Sequence, residues 1–198
     1  GPLVLAFGCG AALLGAFLPE LRIVRGLVFV GLLEVLALKF SFGKIHHLMH
    51  GWLFASFLFV ALPARAFHAR SATRVERQST LLLFSAAQFA VAMTYSLAGL
   101  GKLLGTAYQA VLGQVTPLHP SALSRHIADR ILQTNADSLL GPWMIDHATL
   151  VWPLMLATLY LQLFAVWATL RPRLHRLWGI GLVGFHATPI TTLTIDFN

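Results

Sequence analysis

The chain of 198 residues is poor in charged residues, particularly acidic ones, and has almost no cysteine. Charged side chains make up 11% of it, against about 25% in an ordinary soluble domain. This scarcity excludes a typical water-soluble globular protein. The single cysteine, Cys9, excludes an intrachain disulfide and any zinc site built from cysteine pairs. Because no initiator methionine is present, we expect the sequence to be a fragment of a longer chain.

Apolar residues are abundant instead, at 57% of the chain with a mean hydropathy of +0.74. A membrane-spanning helix needs about 20 mostly apolar residues, and six stretches come close to that length. They show no period-two alternation, so helices are predicted rather than barrel strands. The sequence thus predicts an all-α polytopic membrane helix bundle forming a single domain over residues 1–198. Its predicted spans are 2–19, 26–43, 48–67, 80–105, 148–170 and 177–197.

The net charge of +7 is located mainly in the short connections between these apolar stretches. If six helices alternate across a bilayer, nine arginines fall on one side, and the positive-inside rule makes that side cytoplasmic. Membrane lipids are then the expected partners, with no nucleic acid, and a bacterial inner or intracytoplasmic membrane is the expected location. The nine are Arg22, Arg25, Arg65, Arg70, Arg74, Arg77, Arg171, Arg173 and Arg176.

The one long connection, residues 106–147, lies on the predicted outer face. Within it, residues 121–135 place Leu123, Ile127 and Ile131 at spacings of four, which predicts an amphipathic helix lying on the membrane. The opposite face carries Ser124, Arg125, Asp129 and Gln133. This helix is interpreted either as a structural lid over lipid headgroups or as a cap over an opening in the bundle.

Glycines at 179, 181 and 184 match the G-x-G-x-x-G spacing of a dinucleotide-binding turn. No strand precedes them, and their neighbours are large apolar residues. We therefore expect these glycines, like Gly101 and Gly105, to permit close helix approach.

Polar side chains within the apolar stretches are costly in a bilayer and need a physical reason. Glu34 lies near the middle of the second stretch, either as a proton-handling or ligand-binding carboxylate or as a neutral or paired residue that ties two helices together. His186 lies beside Pro189, where a helix bend could open a cavity. It is interpreted as a hydrogen-bond donor to a ligand or as a structural contact between helices.

Tyr95 and Lys102 share one face of the fourth stretch, with small residues between them. Lys102 is interpreted either as snorkelling to the interface or as a shielded base. His46 and His50 have the i, i+4 spacing of paired metal ligands, but no third ligand is identifiable. No metal site is predicted there, and proton relay or interface placement is favoured.

The segment T-Y-S-L-A-G-L-G-K-L, residues 94–103, resembles the Y-x-x-A-G-x-x-K-L signature of vitamin K-dependent gamma-carboxylases and their HTTM-domain relatives. I-H-H-L-M-H-G resembles the family's N-H-x-x-x-x-G segment, and F-H-A-T-P resembles its F-H-x-x-N segment. The resemblance implies that Lys102 is the base toward a vitamin K-like hydroquinone and that His46 and His186 occupy the family's histidine positions. The cofactor itself is not identified by the sequence, and a quinone or a vitamin K-like hydroquinone is the candidate.

The sequence departs from the family at three of these positions. Ile45 and Pro189 replace asparagines, and Asp196 replaces a glycine. The family's large extramembrane domain is absent, so glutamate carboxylation itself is not expected. The predicted function is binding or oxidation of a lipid quinol near the outer leaflet, at Lys102, His46, Tyr95, His186 and Glu34. The alternative is a non-catalytic transmembrane subunit of a larger respiratory or photosynthetic complex.

Overall fold

The computed structural model of the chain describes residues 1–41, 47–68, 72–134 and 138–193. Every regular element in these ranges is helical. Two short 3₁₀ turns, Ala64–Phe67 and Pro172–Leu174, lie in connections. The α-helices are α1 Pro2–Phe17, α2 Arg22–Phe40, α3 His47–Phe59, α4 Arg74–Val111, α5 Ala122–Thr134, α6 Gly141–Asp146, α7 Ala148–Leu163, α8 Ala165–Thr169 and α9 His175–Leu193.

The prediction of about six membrane-spanning helices is wrong for the part of the chain that the structure describes. Within it, only α4 is long and apolar enough to cross a membrane by length and composition. The predicted apolar stretches do contain helices, but α1, α3 and α7 are shorter than those stretches. At 1.5 Å per residue the 16 residues of α1 reach about 24 Å, less than the roughly 30 Å of a hydrocarbon core.

The other predicted spans fail for reasons of composition or continuity. Helix α2 has 19 residues but includes Arg22, Arg25, Glu34 and Lys39. The predicted span 148–170 is divided at Phe164 into α7 and α8. Apolar runs therefore located helices but overestimated how far each helix continues.

The chain divides into two compact units, Gly1–Thr94 and Tyr95–Asn198. In the first unit α1 and α2 pack through small residues. A Cβ on Gly31 would lie 3.1 Å from the Cα of Gly8, and a Cβ on Gly8 would lie 2.8 Å from Val35 Cγ2. The two backbones approach this closely because neither glycine has a side chain.

Arg25 holds the connections of the first unit together. It is only 8% exposed, and its guanidinium donates to the carbonyl oxygens of Pro19, at 2.6 Å, and of Val60 and Leu62. Its charge also lies 5.7 Å from the centre of the Phe67 ring. A cation at the C-terminal end of α3 satisfies carbonyls that have no partner within the helix. Arg25 is thus a structural residue rather than a free loop charge.

A capping box starts α4. Thr73 Oγ1 accepts from the backbone N–H of Glu76 at 3.2 Å, and Glu76 Oε2 accepts from the backbone N–H and the hydroxyl of Thr73, each at 2.8 Å. The sequence T-R-V-E has the spacing that this motif requires. The first turn of α4 is therefore fixed by its own residues.

In the second unit, α5 lies within the range predicted for the amphipathic helix. Its apolar face packs against protein: Ile127 is 1% exposed and forms a core with Met144 of α6 and Val151 of α7. Ser124, expected on the polar face, is buried and donates to the carbonyl of Met144 at 2.8 Å. Arg125 on the other face is exposed, as predicted.

Replacing Arg25 with methionine is expected to destabilise the first unit by about 3 kcal/mol, because buried carbonyls lose their donor. Arg22→Met, one turn earlier at an exposed position, is the control and should change stability by less than about 0.5 kcal/mol. Denaturant unfolding of both variants, followed by circular dichroism, provides the measurement. Equal stability of the two variants would contradict the assigned role of Arg25.

Candidate functional site

Two hydrogen-bonded polar pairs of the second unit lie along the C-terminal half of α4. Tyr95, from α4, and His186, from α9, share a hydrogen bond of 2.7 Å between the phenol oxygen and Nε2. Their rings meet edge to face with centroids 5.9 Å apart. Residues separated by 91 positions are thus brought together as the first of two polar pairs.

The second pair lies two helical turns further along α4. Lys102 Nζ donates to Gln162 Oε1 at 2.6 Å, and Gln162 is only 5% exposed. The carbonyl of Lys102 also accepts from the hydroxyl of Thr106 at 2.8 Å. Tyr95 and Lys102 are seven residues apart, so they lie on nearly the same side of α4, about 10 Å apart along its axis.

Gly99 lies between the two pairs and allows α7 to approach α4. A Cβ at this position would lie 2.9 Å from the backbone nitrogen of Leu163 and 3.1 Å from Gln162 Cβ. Those distances are below normal van der Waals contact, so glycine is required for this geometry. The approach places the amide of Gln162 within reach of Lys102.

Ser96 stabilises the break between α7 and α8. Its hydroxyl lies 3.1 Å from the carbonyl oxygen of Gln162 and 3.0 Å from that of Leu163, and it accepts from the backbone N–H of Val166 at 3.1 Å. At a helix end these backbone groups lack helical partners. The Ser96 side chain, from α4, therefore bonds to backbone groups at the end of α7 and at the start of α8. These bonds fix the position of Gln162.

Among the residues that the structure describes, no carboxylate forms an ion pair with this cluster. The one ion pair among the described residues joins Arg65 to Glu76, in the first unit. Groups of three or more His, Cys, Asp or Glu side chains that could hold a metal are also absent from the described part of the chain. Burial lowers the pKa of the His186 imidazole, which favours its neutral form.

The site residues predicted from the sequence fall into three groups. Tyr95, Lys102 and His186 all belong to the cluster in the second unit. Glu34 belongs to the first unit, where its side chain is exposed on α2 rather than enclosed. His46 lies outside the described residues, so its predicted role stays a prediction.

Sequence reasoning missed Gln162 and Ser96. Gln162 had a visible signal, because it is the only amide or charged side chain between residues 148 and 170. Ser96 gave no such signal, since a serine in an apolar helix can bond to its own preceding turn. The expected close approach is present at Gly181, where a Cβ would lie 2.8 Å from Leu161 Cδ2. It is absent at Gly101, Gly105 and Gly179, where no residue that the structure describes lies within 4 Å of a Cβ.

Comparison with known protein families, curated proteins and solved structures finds no match to this chain.

Gly99→Ala is expected to destabilise the second unit by about 1 to 3 kcal/mol, because the added methyl group overlaps the backbone of Leu163. Gly101→Ala is the matched control. No described residue lies within 4 Å of a Cβ at this position, so the substitution should be neutral or stabilising by up to about 1 kcal/mol. Thermal unfolding compares the two variants, and equal effects would argue against close packing at Gly99.

The lowered pKa of His186 predicts that stability falls as the solution is acidified. The unfolded chain, with a histidine pKa near 6.5, binds the proton more readily than the folded chain does. The free energy of unfolding therefore declines as pH falls through that value, and the loss is complete below the folded-state pKa. His186→Gln should flatten this dependence between about pH 7 and pH 5, measured by denaturant titration. His175→Gln, at an exposed position on the same helix, is the control for the loss of an imidazole.

Proposed function

We propose that this chain is an integral membrane protein, with α4 crossing the bilayer, whose second unit binds a lipid-soluble quinol. The observation that carries the proposal is the pairing of Tyr95 with His186 and of Lys102 with Gln162 along one side of α4. Two sets of hydrogen-bonding groups, separated along α4, suit a ligand with hydroxyls at opposite ends of a ring.

The length and composition of α4 support a membrane location. It carries no charged side chain from Gln78 to Gly101, and Arg77 and Lys102 bracket this segment roughly 38 Å apart along the axis. A bilayer has a hydrocarbon core of about 30 Å with polar layers on either side. Both cations then reach headgroup level, with the arginine-rich end on the cytoplasmic side.

Exposed apolar side chains also support a membrane location. Leu3 is 84% exposed, Leu82 71% and Leu104 63%, and exposed large hydrophobic residues occur on most helices. Soluble monomers seldom expose apolar patches beyond a few hundred Å². Lipid contact removes the cost of such a surface.

The chemistry assigned to Lys102 is proton acceptance from the quinol. The quinol O–H bond breaks, an N–H bond forms at Nζ, and a quinolate anion remains, with no electron transferred in this step. A neutral amine can still donate to Gln162 while it directs its lone pair at the ligand. No described carboxylate is paired with the ammonium form. The His186 imidazole and the Tyr95 hydroxyl orient the ring.

The resemblance of residues 94–103 to the gamma-carboxylase signature adds support, because it assigns the base to Lys102. Of the three matched positions, His186 and Lys102 both lie in the polar cluster. The reaction that follows deprotonation is left out of the proposal, since Pro189 and Ile45 replace two asparagines of that family.

A second candidate is a structural subunit of a larger membrane complex. It is favoured by the extent of exposed apolar surface and by the polar side chains, which already bond to one another without a ligand. In such a subunit the two pairs serve only to join helices.

Quinol binding is the direct test. In nanodiscs, the purified chain should quench or shift the fluorescence of an added quinol, and Lys102→Met should weaken the affinity roughly tenfold by removing the amine that accepts the quinol proton. Lys39→Met, which removes an exposed lysine from the first unit, is the control and should bind like the wild type. Should all three proteins bind quinol equally or not at all, the quinol proposal fails. Stoichiometric co-purification of Lys102→Met with other subunits would then favour the structural role.

A further inference from the structure

One end of the first unit gathers basic side chains from separate parts of the sequence. Arg25 bonds to the carbonyl of Pro19 on one connection and to those of Val60 and Leu62 on another, so the α1–α2 and α3–α4 connections meet there. The 4.0 Å ion pair between Arg65 and Glu76 adds the start of α4. We define the arginine rim as the four further arginines at this end, namely Arg22, Arg65, Arg74 and Arg77.

The rim is accessible and carries a positive balance. Arg22, Arg74 and Arg77 are exposed, and the side chain of Arg65 keeps 60% of its accessible surface. Glu76 pairs with Arg65, and Glu20 lies near Arg25, so the four arginines of the rim outnumber the two carboxylates at this end. The rim therefore suits a ligand with several negative charges.

Apolar side chains border the rim directly. Ile23 next to Arg22 is 75% exposed, Val75 next to Arg74 is 69% exposed, and Leu81, one turn beyond Arg77, is 68% exposed. A nucleic acid or an acidic soluble protein would leave this apolar border in water. A bilayer surface offers phosphates at the level of the arginines and acyl chains beside them.

We propose that the arginine rim binds the headgroups of anionic phospholipids and holds this end of the protein at the membrane surface. The proposal rests on the membrane location assigned above, and it adds a lipid class and a set of binding residues. Arg25 acts as a positioning residue, because its own guanidinium is used by backbone carbonyls.

The test compares lipid preference in reconstituted protein. The full chain is placed in vesicles of phosphatidylcholine alone or with one third phosphatidylglycerol, and the relative association of a spin-labelled phosphatidylglycerol is measured. Each rim arginine is expected to contribute roughly fivefold at low salt. The variant Arg22→Gln, Arg65→Gln, Arg77→Gln should therefore lose most of the preference. The control Lys39→Gln, Arg125→Gln, Arg173→Gln, with the same loss of exposed charge, should retain it.

The possible outcomes distinguish failure of the lipid-binding proposal from failure of the proposed membrane location. The protein could float with both vesicle types and resist alkaline extraction but show no preference for phosphatidylglycerol. This result would refute lipid binding by the arginine rim and leave the membrane location intact. If the protein floats with neither vesicle type, both the membrane location and lipid binding by the arginine rim are refuted. Equal loss of preference in the two triple variants would mean that net charge, rather than the rim, selects the lipid, and this also overturns the proposal.

Discussion

At Gly99 the backbone of α4 lies in contact with the end of α7, because no Cβ separates them. The polar contacts between α4 and the end of α7 depend on that approach. It brings Ser96 to the carbonyls of Gln162 and Leu163, and it brings the Gln162 amide to Lys102. Without the glycine, the break between α7 and α8 would lose its donor and acceptor, and the lysine would lose its partner.

The sequence was informative about where helices occur and much less so about where they end. Apolar runs mark segments that favour helix, but a run continues through a break when the interrupting residues are themselves apolar. Phe164 ends α7 inside such a run, and the break is stabilised by Ser96, which is distant in sequence. Helix ends of this kind depend on tertiary contacts, and no local pattern reveals them.

The sequence also does not reveal which charged residues are buried and which are exposed. Arg25 and Arg22 are three residues apart and contribute equally to a count of basic residues. In the structure Arg22 is exposed, whereas Arg25 is 8% exposed and bonds to three carbonyls. The candidate site was easier to foresee, because the spacing of Tyr95 and Lys102 on one helix is local. Their partners, His186 and Gln162, come from other helices, and only the first was identified from sequence.

The two polar pairs set a condition on any ligand that enters between them. A hydrogen bond to an uncharged partner stabilises by about 1 kcal/mol net, and one to a charged group by about 1.5 to 3 kcal/mol, so displacing both pairs without replacement would oppose binding. A ligand with one hydroxyl for each pair could replace the hydrogen bonds that it displaces. A purely apolar molecule cannot do this. The two pairs are satisfied in the absence of ligand, and the same hydrogen bonds join α4 to α7 and α9.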